Sequence, residues 1–140
     1  MTLTTAEVGY LQAQRLGRLA TIQPDGSPQV KPVGFRYNPA LGTIDISGFR
    51  MSASQKFRNV SCDGRVALVV DDIASTTPWR VRFLEIRGIA EAVQASGQAG
   101  DVDDTALIRI RPTRVLSFGI EEPPSEPHQT ELRTRSLHPA

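Results

Sequence analysis

Lysine is nearly missing from this 140-residue chain: of 16 basic residues, only Lys31 and Lys56 are lysines and the rest are arginines. Cysteine occurs once, as Cys62, which excludes a disulfide framework and a thiolate metal cluster. The two histidines, His128 and His138, have nothing at ligand spacing around them, so no metal site is expected. No apolar run reaches the roughly 18 residues of a membrane-spanning helix, which argues against a membrane partner. The opening stretch MTLTTAEVGYLQAQRLGRLA has no secretory h-region, so a reducing cytoplasm is the expected compartment. Net charge is only +1, with acids and bases interspersed, and no basic stripe suggests nucleic acid. What remains is ordinary: 39% hydrophobic and 22% charged residues, the balance of a globular domain large enough to bury its own core.

Short elements and turn signals follow one another along the chain. Residues 4–16 predict a helix, capped by Thr4 or Thr5, with Glu7 in its first turn, Val8, Leu11 and Leu16 recurring at roughly helical spacing, and Gly17 as its stop. RLATIQ (18–23) and PQVKPVGFRY (28–37) read as a hairpin joined by the PDGS turn. Pro32 removes a ladder donor and so predicts an edge, a bulge or an opening in the sheet. After the NPALG turn, TIDISG (43–48) alternates cleanly. Residues 52–59 predict a helix with Ser52 or Ser54 as its cap, Phe57 and Val60 turned inward and Gly64 at its end. RVALVV (65–70) reads as a strand buried on both faces, and DDIASTTP (71–78) as a polar loop with solvated acids. Residues 79–93 predict a long strand that Gly88 bends or opens to a bulge. ASGQAGDVDD is a loop, and TALIRIRP and TRVLSFGI are two closing strands with Pro112 at their corner. The expected fold is mainly β, a six- to seven-stranded antiparallel barrel with an N-terminal helix and one inserted helix over residues 1–120. Residues 121–140 are proline-rich and read as a tail.

The second helix raises a chemical question. A helix N-terminus attracts anions through its unpaired N–H groups and partial positive charge. This one carries Ser52, Ser54, Gln55 and Lys56, with Arg50 just upstream. Those are phosphate donors, and a lysine at the positive end of a helix is unfavourable unless an anion joins it. Serines also cap helices routinely and surface lysines are usually solvated, so the stretch by itself leaves both readings open.

LGRLATIQPDGSPQVKPVGF, SQKFRNVSCDGRVALVV and EIRGIAEAV, in that order, resemble the pyridoxamine 5′-phosphate oxidase-like flavin and deazaflavin split barrels, over about residues 12–120. The resemblance is nearest to short actinobacterial members that depend on coenzyme F420. It implies a cofactor phosphate held at the second helix, where Ser54, Gln55 and Lys56 stand, and near Lys31, where the FMN members carry an arginine. It implies a ring system along Lys31, Pro32, Val33 and Gly34, and a homodimer in which the partner's long strand contributes Trp79, Arg80, Arg82 and Phe83 to the site. Gln55 departs from the family's usual basic residue, and SFG (117–119) lacks a tryptophan often found there. The Arg-Leu-His-Asp-Arg-type substrate motif of the true pyridoxamine phosphate oxidases is missing, so vitamin B6 oxidation is not implied.

No residue cluster supports acid–base, nucleophilic or metal catalysis, and Cys62 reads as a small packed residue; no catalytic side chain is assigned. That suits hydride transfer, in which a cofactor supplies the chemistry and the protein supplies position. An F420-dependent oxidoreductase acting on a small organic acceptor is the expectation. An FMN oxidoreductase, a non-enzymatic flavin or haem carrier or sensor, and a scaffold with a vestigial pocket are the alternatives.

Overall fold

A computed structural model describes residues 2–94, 105–121 and 127–137, the side chain of residue 127 excepted. Helix α1 (Thr5–Ala13) precedes β1 (Gly17–Ile22), β2 (Pro28–Val33), β3 (Arg36–Asn38) and β4 (Thr43–Ile46). A 3-10 turn (Met51–Ala53) leads into α2 (Gln55–Cys62), then β5 (Arg65–Thr76), β6 (Trp79–Val93), β7 (Leu107–Phe118), a second 3-10 turn (Pro127–Gln129) and β8 (Arg133–Ser136). The strands run in the order β2-β1-β5-β6-β7-β4-β3, with β8 also on β7. All pairings are antiparallel.

The order itself forces closure. Strands β2 and β3 stand at opposite ends of the sheet, yet only Gly34 and Phe35 lie between them in the chain. Val33 and Arg36 can therefore be no more than about 10 Å apart, so the sheet must curl until its two edges meet at a split. The expected split barrel is present, with eight strands among the described residues where six or seven were predicted. Leu19, Leu68, Leu84, Ile86, Ile108 and Ile110 fill its interior.

Local chemistry explains the elements. Thr4 and Glu7 form a reciprocal capping box on α1, and the helix stops at Ala13, short of Leu16, which is exposed rather than part of an apolar stripe. The β1–β2 turn has Gly26 at φ +86° and the Asp25 carboxylate accepting from the Ser27 N–H. Pro32 sits on the edge strand β2, as its missing donor requires. Asn38 likewise accepts from the Ala40 and Leu41 amides in the next turn, whose Gly42 has φ +68°.

Four expectations are corrected. RVALVV is buried on one face and half-buried on the other. The polar stretch after it is no loop: β5 continues to Thr76 because every residue but Ala74, at a bulge, pairs with β6, and its acids are taken up by arginines, Asp71 by Arg18 at 2.7 Å and Asp72 by Arg82. Residues 107–118 form one strand, not two. At Pro112 and Thr113 it bulges opposite Gly88, where an added Cβ would lie 2.3 Å from the Arg111 carbonyl oxygen. The bulge separates the stretch of β7 that pairs with β4 from the stretch that pairs with β8. Finally, part of the expected tail returns to the sheet as β8, with Leu137 buried and Arg135 gripping the 1% exposed Glu7. The loop predicted over residues 95–104 lies outside the described residues.

Candidate functional site

Helix α2 lies over β1, β6 and β7. Ser54 caps it, accepting from the Phe57 N–H while its hydroxyl donates to the Met51 carbonyl at 2.6 Å. Phe57 and Val60 face the core, each burial worth about 1.5–3 kcal/mol. One turn into the helix, buried Asn59 donates to Thr21 Oγ1 at 3.0 Å on β1 and to Gln29 Oε1 at 3.3 Å on β2. Asn59 also accepts from Gln55 Nε2 at 2.7 Å. This chain of amides fixes the start of α2 against the first hairpin.

The clamp has a consequence for charge. Gln29 and Lys31 are two residues apart on β2, so they share a face, the one on which their partners Thr21 and Leu19 point inward. Fastening α2 to Gln29 therefore brings Lys56 beside Lys31. Half-burial lowers the pKa of Lys56, and the neighbouring Lys31 ammonium lowers it further. Among the described residues neither lysine has a carboxylate within ion-pair distance. Two like charges are thus held together beside a helix start whose first amides have no intrahelical acceptors. That donor set fits an anion such as a phosphate.

The other residues predicted for this corner are less available. Gln55 is used by the clamp and accepts from Arg58 at 2.8 Å, and Ser54 is used by the cap. Arg50 has φ +53° and lies over the exposed Phe49 ring, 5.3 Å from its centroid. Ser52 is half-buried in the 3-10 turn. On the edge strand, Lys31 and Pro32 are exposed, Val33 is buried in the core, and Gly34 is exposed at the split. Cys62 is exposed, not packed.

Trp79, Arg80 and Arg82 come together elsewhere, around a cavity of about 500 Å³ at the start of β6. None of residues 31–34 or 50–56 lines it. Phe83 stacks on Phe118, a wall residue of the cavity, with ring centroids 5.6 Å apart and planes 7° apart. Arg82 is less free than its sequence position implied. It holds Asp72 through two bonds of 3.0 and 2.5 Å and lies over the Tyr10 ring, whose hydroxyl donates to the same carboxylate at 2.7 Å. Burial and the Asp72 carboxylate push the Tyr10 hydroxyl pKa well up, so it stays protonated and donating. His128 and Thr130 also line the cavity. Sequence reasoning missed both, because nothing local reveals that β8 folds the segment back.

Among the described residues no group of His, Cys, Asp and Glu could hold a metal ion. Among the described residues no helix is long and apolar enough to cross a membrane.

Residues 3–119 match the family profile described as pyridoxamine 5′-phosphate oxidase. A 5a,11a-dehydrotetracycline/5a,11a-dehydrooxytetracycline reductase from Streptomyces rimosus is 43% identical over 124 residues, covering 86% of each chain. A solved structure named F420 reductase superposes with a TM-score of 0.59 at 26% identity, over 76% of this chain and 93% of that one. A conserved hypothetical protein from Mycobacterium tuberculosis has the same fold, with a TM-score of 0.65 at 22% identity over 84% and 85% of the two chains.

Proposed function

The chain belongs to the pyridoxamine 5′-phosphate oxidase family, and from that premise we propose that it is an oxidoreductase using coenzyme F420 to transfer a hydride to or from a small organic acceptor. The observation that carries this reading is the placement of Lys31 on β2 and Lys56 at the start of α2 close enough to repel each other, with no carboxylate at ion-pair distance from either among the described residues. A phosphate bound there would relieve their repulsion, and Lys56, Lys31 and the first amides of α2 would hold it. When bound, the deazaflavin supplies a hydride-carrying carbon. The chain's own contribution is binding and orientation: the exposed edge of β2 at Lys31–Gly34 offers backbone groups to a ring system, and no side chain is required as acid or base.

The reading includes a homodimer. One outer face of the sheet carries the exposed apolar side chains Val30 and Ile73, 63% and 55% exposed. Such a face favours a second copy, which would bring its Trp79 end toward the lysine corner. The Streptomyces reductase and the F420 reductase support reduction and the deazaflavin.

Titration of the purified protein with F420 and with FMN tests the assignment. F420 should bind more tightly than FMN, and Lys56→Ala should weaken it at least about tenfold, ~1.4 kcal/mol. Unchanged F420 affinity in that variant would overturn the phosphate site, and preferential binding of FMN would replace the deazaflavin with a flavin.

A further inference from the structure

The cavity at the start of β6 has a composition that selects its occupant. Trp79, Val81, Phe118 and Ile120 form apolar walls, and Trp79 and Phe118 present flat aromatic surfaces, the second fixed by its stacking on Phe83. The polar lining is Arg80, Arg82, His128 and Thr130. Every one of these side chains can donate a hydrogen bond, and among the described residues no carboxylate lines the space. Arg82 is occupied by Asp72. His128 and Thr130 reach the cavity from a segment that is tied down just beyond them, where β8 pairs with β7 and Arg135 grips Glu7. A volume of about 500 Å³ falls within the range that encloses a drug-sized ligand.

We infer that this cavity binds the hydride acceptor, a flat polycyclic molecule with an acidic oxygen on one edge, and that His128 and Thr130 select the acidic edge. The acceptor role rests on the oxidoreductase reading; the ligand class rests on the cavity alone. Trp79 is the chain's one tryptophan, so its fluorescence reports the site directly. In the cofactor-free protein, anthraquinone-2-carboxylate should quench Trp79 saturably and bind about fivefold or more tightly than neutral 2-(hydroxymethyl)anthraquinone, the scale of one hydrogen bond. His128→Ala should erase that preference while leaving the neutral probe's affinity in place. Ile120→Asp should abolish binding of both probes. Unsaturable quenching, a preference that survives His128→Ala, or binding that survives Ile120→Asp would each overturn the inference. Because no cofactor is present, a failure of F420 to bind leaves this titration intact, and the two readings fail separately.

Discussion

Arginine and lysine are used in opposite ways in two regions of this molecule. Around the barrel, arginines close on carboxylates: Arg135 on Glu7, Arg109 on Asp45, Arg82 on Asp72 and Arg18 on Asp71. Where β2 meets the start of α2, Lys31 and Lys56 are near enough to repel each other, with no such partner among the described residues. The planar guanidinium makes paired, directional bonds that fasten strands and helix together. The ammonium is a compact charge suited to an exchangeable anion. The arginine charges are satisfied within the chain, and on the proposed reading the lysine charges are left for a ligand. That difference is the physical content of the site.

Removing a carboxylate from the satisfied region should have the largest effect. Glu7→Gln keeps an acceptor for the α1 capping box but leaves the part-buried Arg135 without its Glu7 carboxylate, and should cost about 3 kcal/mol in chemical denaturation. A loss below about 1 kcal/mol would mean that β8 contributes little to holding α1. Next comes Lys56→Met. It should cost at least about tenfold in F420 affinity while leaving stability within about 0.5 kcal/mol of wild type. A large stability loss instead would place Lys56 among the structural charges and erase the contrast.

Acid sharpens the comparison further. Burial alone would raise the pKa of Glu7, but Arg135 and the Thr4 amide overcome it and hold the carboxyl below its ordinary value. Asp45 behaves alike: burial is outweighed by Arg109, Asn38 and Thr43. With folded pKa values below unfolded ones, both contribute stability above the unfolded carboxylate range near pH 4, and this is lost as pH falls through the folded values. Denaturation midpoints should hold steady from about pH 7 to 5 and then decline, less steeply in Glu7→Gln. The smallest effect belongs to Lys56. Its folded pKa is lowered, so the unfolded chain binds more protons there in the window below about pH 10.4, and its own contribution to ligand-free stability should rise slightly with pH, opposing that of Tyr10 and read as the difference from Lys56→Met. Lys56→Met should lose that rise, and bound F420 should suppress it.

Much of the fold was legible because its causes are local. The Pro24–Ser27 turn, the capping of α2 by Ser54, the edge position of Pro32 and the bulge at Gly88 each follow from the conformational limits of a few adjacent residues. The extension of β5 through Asp71–Thr76 and the strand β8 were not legible, since those segments carry little apolar periodicity and are held by partners far away in the chain. The site divides in the same way. Lys56 stood out by position, whereas the hydrogen bonds that engage Gln55, Ser54 and Arg82 depend on what each side chain meets.

By itself, the sequence determined that the chain forms a barrel of antiparallel strands with a capped internal helix, because turn residues and alternation act over a few positions. Only the tertiary structure decided that Asn59 reaches Gln29 and so sets Lys56 against Lys31, and that His128 returns to the cavity at Trp79. Both depend on pairings between residues distant in sequence, whose geometry no local propensity contains.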